Sequence, residues 1–480
     1  MSSRIHFLLN DREVVASESP ATLVLDYLRR RERLVGTKEG CKEGDCGACV
    51  VLVGERAGKR MRYQPVTSCL MPLGELHGKH LVTIEGLNLE RLTPVQQAIV
   101  DEGGSQCGFC TPGIVVSLTG YLLTAAPDLS DDGIKYALGG NLCRCTGYAS
   151  LKRAGHRLVQ QFGSGNGRPA GDPVRWLVEQ GALPAYFLSV PERLEKLPKP
   201  KPQPTGRGRR PFYVVAGGTD LYVQKGEQLP DADVYVLNLR PELKGIAVQD
   251  GRVRVGALTT FEEFARSPEI QAVVPDIRAY MQLNASWQIR NRATLGGNIV
   301  NASPIGDMTI LLLALDATLV LQAGERTRTV PLKQFYKGYK ELDKEPDEIV
   351  TEIVFPVPEP DTRIHFEKVS KRKTLDIASV NSAIQVRAQN GLITHANLSM
   401  GGVAPYPLFL DATCDYLKGN VVERDLVRHA IEVAQREIAP ISDIRGSAEY
   451  KRLLARQLLI AHFTRLFPER LTVRDFYETS

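Results

Sequence analysis

Apolar positions near the start of the chain recur with a period of two. In IHFLLN, Ile5, Phe7 and Leu9 share one face, and a turn at Asn10-Asp11 leads into REVVAS. Such alternation predicts half-buried strands joined by a tight turn. SPATLVLDYLRR then shifts to a helical pattern, with Ser19 before Pro20 as its start signal. Strand patterns return at CVVLV (49–53) and HLVTIEGL (80–87). Residues from about 3 to 87 thus predict a helix on a small mixed sheet.

From about 92 to 162 the pattern is helical. TPVQQAIVDEG opens at Thr93-Pro94 and stops at Gly103-Gly104, and TPGIVVSLTGYLLTA repeats the Thr-Pro opening. SDDGIKYAL and YASLKRAGHRLVQQF complete four helices, punctuated by Pro at the start and Gly past the end. GSGNGRPAGDPV (163–174) reads as a linker, and PKPKPQPTGRGRRP (198–211) as an extended, solvated basic loop. Strand and helix patterns follow from 212, in FYVVAGGTDLYV, VYVLNL, GRVRVGA, TTFEEFARS and RATLGGNIVNASPIGDM. ILLLALDATLVL (310–321) predicts a buried helix followed by a strand; it is too short to span a bilayer and contains Asp316. A further domain from about 362 opens with strands in SAIQVRAQNGLITHANLSMGGV. It closes with amphipathic helices in VVERDLVRHAIEVAQREI and AEYKRLLARQLLIAHFTRLF. No repeat of solenoid length is present.

Charge changes this picture little. The formal net charge is +5 over 480 residues, which gives no nucleic-acid signature. The first residues, MSSRIHFLLN, contain no apolar core of signal-peptide length. The expectation is a soluble, cytoplasmic chain without a membrane or nucleic-acid partner.

Cysteine changes it a great deal. Eight of the nine cysteines lie before residue 146, and Cys414 is the ninth, expected as a buried free thiol. In a reducing compartment, clustered thiols point to metal rather than to disulfides. GCKEGDCGACVV with the distant TSCL spaces Cys41, Cys46, Cys49 and Cys69 as in a plant-type [2Fe–2S] ferredoxin. Glycines at 40, 44 and 47 let the backbone wrap closely and aim N–H groups at sulfur. SQCGFCTPG and NLCRCTGY supply a second set, Cys107, Cys110, Cys143 and Cys145. By spacing alone this second set suits tetrahedral zinc as well as iron–sulfur. A first redox centre in the same chain favours a second, because two centres make a wire.

YVVAGGTDLYV sets Gly217-Gly218-Thr219 directly after an apolar strand, where backbone N–H groups can approach a pyrophosphate. It is not the spaced G-x-G-x-x-G of a Rossmann fold. RNRATLGGNIVNASPIGD adds a second Gly-Gly, with Asn298, Asn301, Ser303 and Asp307.

QCGFCTPG and GGNLCRCTGY, following a ferredoxin-type domain, closely resemble the second [2Fe–2S] motif of the molybdenum hydroxylases. The glycine segments resemble the FAD domain of xanthine dehydrogenase and its relatives within that family. The resemblance implies a multidomain α+β chain with four domains. Residues 1–88 would be a β-grasp [2Fe–2S] ferredoxin domain and 89–163 a four-helix [2Fe–2S] domain. A linker at 164–183 would precede an α+β FAD-binding domain at 184–361, of the vanillyl-alcohol-oxidase/CO-dehydrogenase flavoprotein type. The C-terminal α+β domain would be 362–480. All eight cysteines are implied as iron ligands, with Gln106 and Cys145 near the pterin. Implied flavin contacts are Ala216, Gly217, Gly218, Thr219, Asp220, Leu221, Thr294, Gly297, Asn298, Asn301, Ser303, Asp307 and Lys368. Asp376 falls in the family's variable loop, and Tyr339 is a candidate beside the flavin or its acceptor. Asn284 stands where vertebrate members carry an aromatic that stacks on the flavin.

The domain order resembles the small subunit of the family's bacterial members. It implies an electron-transfer oxidoreductase subunit with two [2Fe–2S] clusters and FAD, and NAD⁺ as acceptor. The molybdopterin would sit on a separate large subunit, in a heterotetramer or dimer of heterodimers. The implied reaction is oxidation of hypoxanthine and xanthine to urate. A relative acting on an aldehyde or another N-heterocycle, and a zinc-stapled scaffold without redox function, are the alternatives.

Overall fold

The structure is a computed structural model. It describes residues 4–58, 60–124, 129–163, 167–169, 172–199 and 212–477. Most of the basic loop expected at 198–211, and part of the linker, lie outside the described residues. Contacts divide the chain into two units, Met1–Leu239 with Ser286–Ala293, and Arg240–Ala285 with Thr294–Ser480.

The first unit opens with the expected hairpin, β1 (Ile5–Leu9) and β2 (Arg12–Ala16). β3 (Val50–Ala57), β4 (Arg60–Thr67) and β5 (His80–Val82) complete a sheet of order β2-β1-β5-β3-β4. It is mixed, because β1 and β5 run parallel while the other pairs are antiparallel. Phe7, Leu9, Val51 and Leu81 are buried together with Tyr27 and Leu28 of the covering helix. That helix starts later than Ser19-Pro20 suggests, with Leu23 as N-cap of Val24–Asp26 and a π-helical turn over Tyr27–Arg31. The carbonyls of Pro20 and Thr22 are engaged instead by the N–H groups of Gly74 and Leu73. A tertiary pairing thus outbids the local start signal.

Four helices follow, at Pro94–Asp101, Thr111–Thr124, Asp131–Leu138 and Ala149–Phe162. Thr93 closes a capping box with Gln96, satisfying two donors at the helix start. Within the stretch expected as linker, Val174–Glu179 forms a short helix. Val174 and Leu177 are buried against the preceding helices, and Trp176 packs edge-on to Phe162 at 5.6 Å. The strands β6 (Phe212–Val215) and β7 (Asp233–Val236) pair in parallel and complete this unit, together with the peptide Ser286–Ala293.

In the second unit, β8 (Ile246–Gln249), β9 (Arg252–Gly256), β10 (Thr318–Ala323), β11 (Arg326–Pro331) and β14 (Ile349–Pro356) form a sheet of order β11-β10-β14-β9-β8. A small pair, β12 (Tyr336–Gly338) and β13 (Glu341–Leu342), lies between them in sequence. β15 (Thr362–Val369), β16 (Val380–Gln389), β17 (Leu392–Gly401) and β18 (Leu408–Phe409) form an antiparallel meander. The expected buried helix is Asp307–Ala314, buried from Met308 onward. It is fixed to β17 by Ser399 Oγ donating to Ile310 O at 2.7 Å. Helices Arg424–Glu437 and Ala448–Leu466 close the meander's other core, where Cys414 is buried and free. Among the described residues, no helix is long and apolar enough to cross a membrane.

Candidate functional site

Strand register explains how Cys69 reaches the first cysteine loop. Val50 pairs with Thr67 across β3 and β4, so Cys49 meets the 3-10 turn Ser68–Leu70 just beyond the strand end. Ser68 Oγ donates to Cys49 O at 2.7 Å and locks that junction. The four thiols then associate in twos, Cys41 with Cys46 and Cys49 with Cys69. The hydrogen bond from Cys46 brings Cys41 down to about 4, helped by backbone N–H groups, including that of Glu43 at 3.3 Å. Its partner Cys46 is pushed up correspondingly. Cys49 is held down by the hydrogen bond from Cys69, and Cys69 is raised. In each pair one thiol is drawn down and its neighbour is pushed up. Only a cation between them would let both ionise.

The second set sits in two turns that precede helices Thr111–Thr124 and Ala149–Phe162. It also pairs in twos, Cys107 with Cys145 and Cys110 with Cys143. The Tyr148 hydroxyl accepts the N–H of Cys143 at 2.8 Å, and Thr146 Oγ1 lies 3.1 Å from Cys143 Sγ. Burial would raise Cys143, but hydrogen bonds from Thr146, Cys145 and Cys110 together outweigh it and the thiol is lowered. Cys107 is lowered by the N–H of Phe109, whereas burial pushes Cys110 up to about 12. Gln106 is tied to the set itself, its Nε2 donating to Cys145 O at 3.2 Å.

Two pairs of thiols suit two tetrahedral irons bridged by sulfide better than one zinc. Among the described residues, no three His, Cys, Asp or Glu side chains converge as ligands of a single ion. The two sets are also stitched together. Leu142 N donates to Cys46 O at 2.9 Å, and Asn141 Nδ2 donates to Gly47 O at 3.1 Å. Gly47 must be glycine: its φ is +68°, and a Cβ would stand 2.2 Å from Gly140 O.

In the same unit, β6 delivers the loop Ala216–Asp220. Gly217 has no room for a side chain, since a Cβ would lie 2.1 Å from Arg292 O. The N–H groups of Gly217, Gly218 and Thr219 have no acceptor among the described residues. Three adjacent free N–H groups fit a pyrophosphate.

In the second unit, Thr294 caps helix Leu295–Asn301 by accepting Gly297 N at 3.1 Å. Asn298 Oδ1 accepts from Thr309 N at 3.1 Å and from Thr309 Oγ1 at 2.9 Å, so it braces the next helix. Ser303 O accepts Gly306 N at 3.1 Å in the turn that follows, and Lys340 Nζ donates to Asn301. Asp307 and Lys368 form a buried ion pair at 2.7 Å; Lys368 also donates to Leu283 O at 2.9 Å, and Asn381 donates to Asp307. Asp307 borders a small recess with Tyr280, Met281, Asn284, Met308 and Phe366. Asn284 is therefore buried beside two aromatic rings, Tyr280 and Phe366, whose centroids are 5.8 Å apart. Tyr339 is 65 % exposed. Asp376 is used locally, accepting Arg372 N at 2.8 Å and Ile377 N at 3.0 Å.

Sequence reasoning did not single out the peptide Ser286–Ala293. Trp287 packs on Tyr121 and Tyr136, and Gln288 Nε2 donates to Ser117 Oγ and Ala137 O, both at 3.0 Å. Asn291 Nδ2 donates to Pro65 O at 2.9 Å, and Arg292 pairs with Glu75 at 3.0 Å. The available signal was the density of polar residues in SWQIRNR, which is ambiguous without knowing their partners.

Four family models match in succession. They are a 2Fe-2S iron-sulfur cluster binding domain (7–74), a [2Fe-2S] binding domain (83–156), the FAD binding domain in molybdopterin dehydrogenase (203–358) and the CO dehydrogenase flavoprotein C-terminal domain (365–466). A xanthine dehydrogenase of Emericella nidulans is 31 % identical over 468 residues, covering 84 % of this chain and 34 % of that protein. The chain thus spans about a third of that relative's length. Reconstituted CO dehydrogenase from Oligotropha carboxidovorans matches with a TM-score of 0.51 at 28 % identity, over 54 % of this chain and 91 % of that one. Quinoline 2-oxidoreductase from Pseudomonas putida 86 matches at 0.50 and 26 %, over the same shares.

Proposed function

The chain belongs to the molybdenum hydroxylase family, and we propose that it is the iron–sulfur and flavin subunit of a xanthine dehydrogenase. In this reading it carries electrons from a molybdopterin centre on a partner subunit to FAD and then NAD⁺, as hypoxanthine and xanthine become urate. Two successive 2Fe-2S domains, whose cysteine turns are stitched by Leu142 N on Cys46 O, are the observation that carries the electron-transfer role. Cys107, Cys110, Cys143 and Cys145 would hold the cluster on the partner's side. Cys41, Cys46, Cys49 and Cys69 would hold the cluster on the flavin's side. Ala216–Leu221 would take the pyrophosphate, with Thr294, Gly297, Asn298, Asn301, Ser303, Asp307 and Lys368 as further flavin contacts. When bound, the clusters supply one-electron steps and FAD supplies the junction between one- and two-electron chemistry.

The chain's own contribution is positional. Leu142 N on Cys46 O holds one cysteine turn against the other, so the thiol pairs keep a fixed separation. The Lys368–Asp307 pair fixes the Lys368 ammonium in place in the second unit, as a proposed donor to the flavin. Reduced thiols support a cytoplasmic location, and a dimer of heterodimers is the assembly we propose.

The test is purification with the partner subunit, followed by purine addition with and without NAD⁺. Bleaching of flavin and cluster absorption by xanthine, and its return with NAD⁺, are the expected results. Bleaching by an aldehyde or a quinoline instead would support the second reading, which the likeness to quinoline 2-oxidoreductase favours. A colourless, zinc-bearing chain would remove both.

A further inference from the structure

The loop Ala216–Asp220 owes its shape to a buried ionic network in the first unit. Arg292 and Glu75 are both nearly inaccessible, with side chains 2 % and 8 % exposed, and they pair at 3.0 Å. The same Arg292 Nη2 donates to Gly217 O at 2.6 Å and reaches Leu70 O at 3.5 Å, while its Nε has no partner. Asn238, which helps hold the Glu75 carboxyl down, donates its Nδ2 to Ala216 O at 3.1 Å. Lys79 approaches the other Glu75 oxygen at 3.5 Å. One carboxylate therefore organises two donors, and these hold two consecutive carbonyls of the loop. With those carbonyls occupied, the N–H groups of Gly217, Gly218 and Thr219 are left without an acceptor among the described residues. Tyr222, just past the loop, is anchored by its hydroxyl donating to Ala21 O at 2.9 Å.

We propose that Glu75, acting through Arg292 and Asn238, is a positioning residue for the pyrophosphate of FAD. A residue six positions past Cys69, on the ferredoxin-type part of the chain, would then set how tightly the flavin is held. The inference rests on the FAD reading above. Its physical basis is that a buried guanidinium stays put only while its counter-charge does. Burial alone would favour neutral Glu75, but Arg292 and Lys79 overcome it and keep the carboxylate ionised.

The experiment uses the full chain, stripped of flavin with its clusters retained and titrated with FAD by fluorescence quenching. Glu75→Gln and Arg292→Gln are each expected to weaken FAD by about tenfold or more, as loss of a charge-assisted contact does. ADP, used as a competitor, should weaken in parallel, because it shares the pyrophosphate. The double variant should be little worse than the worse single one, since both break one network. Arg292→Lys should recover part of the affinity. The [2Fe–2S] signals in visible circular dichroism should stay at the wild-type level, which separates positioning from misfolding. FAD affinity within twofold of wild type in both Gln variants, or strictly additive losses, would overturn the inference. A wild-type chain that takes up no FAD sinks the flavin reading together with this one; normal wild-type uptake with unaffected variants sinks this one alone.

Discussion

The two cysteine sets have the same donor chemistry and opposite surroundings. Cys49 and Cys69 are 2 % and 1 % exposed, at the junction of two paired strands. Cys107 and Cys145 are exposed, flanked by Phe109 and Leu142 at 47 % and 48 % exposure. Strand register encloses the Cys49–Cys69 half of the first set, with Cys41 and Cys46 half-buried; the second set is held by turns at the starts of two helices, with Cys107 and Cys145 facing outward and Cys143 buried. Four thiolates and two irons make a charged group, and the degree of its burial is a main control on its potential. The difference is therefore one of access, with Cys107 and Cys145 at the surface and Cys49 and Cys69 enclosed.

Alkylation of the cluster-free chain should show the largest contrast. Cys107 should react with iodoacetamide at least about 100-fold faster than Cys69, which is reached only through local unfolding. The lowered pKa of Cys107 sets the pH dependence. A thiol with a lowered pKa keeps its thiolate as pH falls, until the pH passes that lowered value. Cys110, pushed up to about 12, should stay protonated and slow throughout the neutral range. Mass spectrometry of labelled peptides reads all three, and equal rates would erase the proposed asymmetry.

Cys49→Ser should abolish one [2Fe–2S] signal in electron paramagnetic resonance. It should also lower the melting temperature, because cluster binding at a buried site is part of the folding energy. Cys145→Ser should abolish the other signal with a smaller loss of stability. Gly47→Ala should disturb both signals at once, since the residue's carbonyl holds Asn141 and an added Cβ meets Gly140 O. Its cost should exceed about 3 kcal/mol by denaturant titration, being both a positive-φ strain and a backbone clash. At the small end, Thr146→Val removes the hydroxyl beside Cys143 Sγ. That should shift the midpoint of the exposed cluster by about 50 mV, the equivalent of one hydrogen bond of ~1 kcal/mol, and leave the buried cluster's midpoint unchanged.

The cysteines stood out because Cys41, Cys46 and Cys49, and the pairs Cys107/Cys110 and Cys143/Cys145, recur at short spacings. The four helices were legible from Thr-Pro starts and glycine stops, and Thr93 indeed closes a capping box. The start of the covering helix was not, because Pro20 and Thr22 pair with residues more than fifty positions away. Zinc and iron–sulfur were equally compatible with the spacing of the second set. The association of its thiols in twos depends on which turns face each other, and spacing does not encode that.

Residue types and local spacing by themselves determined which thiols cluster, where the four helices from Pro94 to Phe162 begin, and where a double glycine follows a strand. Such properties depend on neighbours a few positions apart. Tertiary structure alone decided that Leu142 bonds to Cys46, that Cys49 and Cys69 are buried while Cys107 and Cys145 are exposed, and that Glu75 holds Arg292 against Gly217. Glu75 and Arg292 are separated by more than two hundred residues. A buried ion pair depends on both partners losing water at the same point in space, and no local pattern specifies that point.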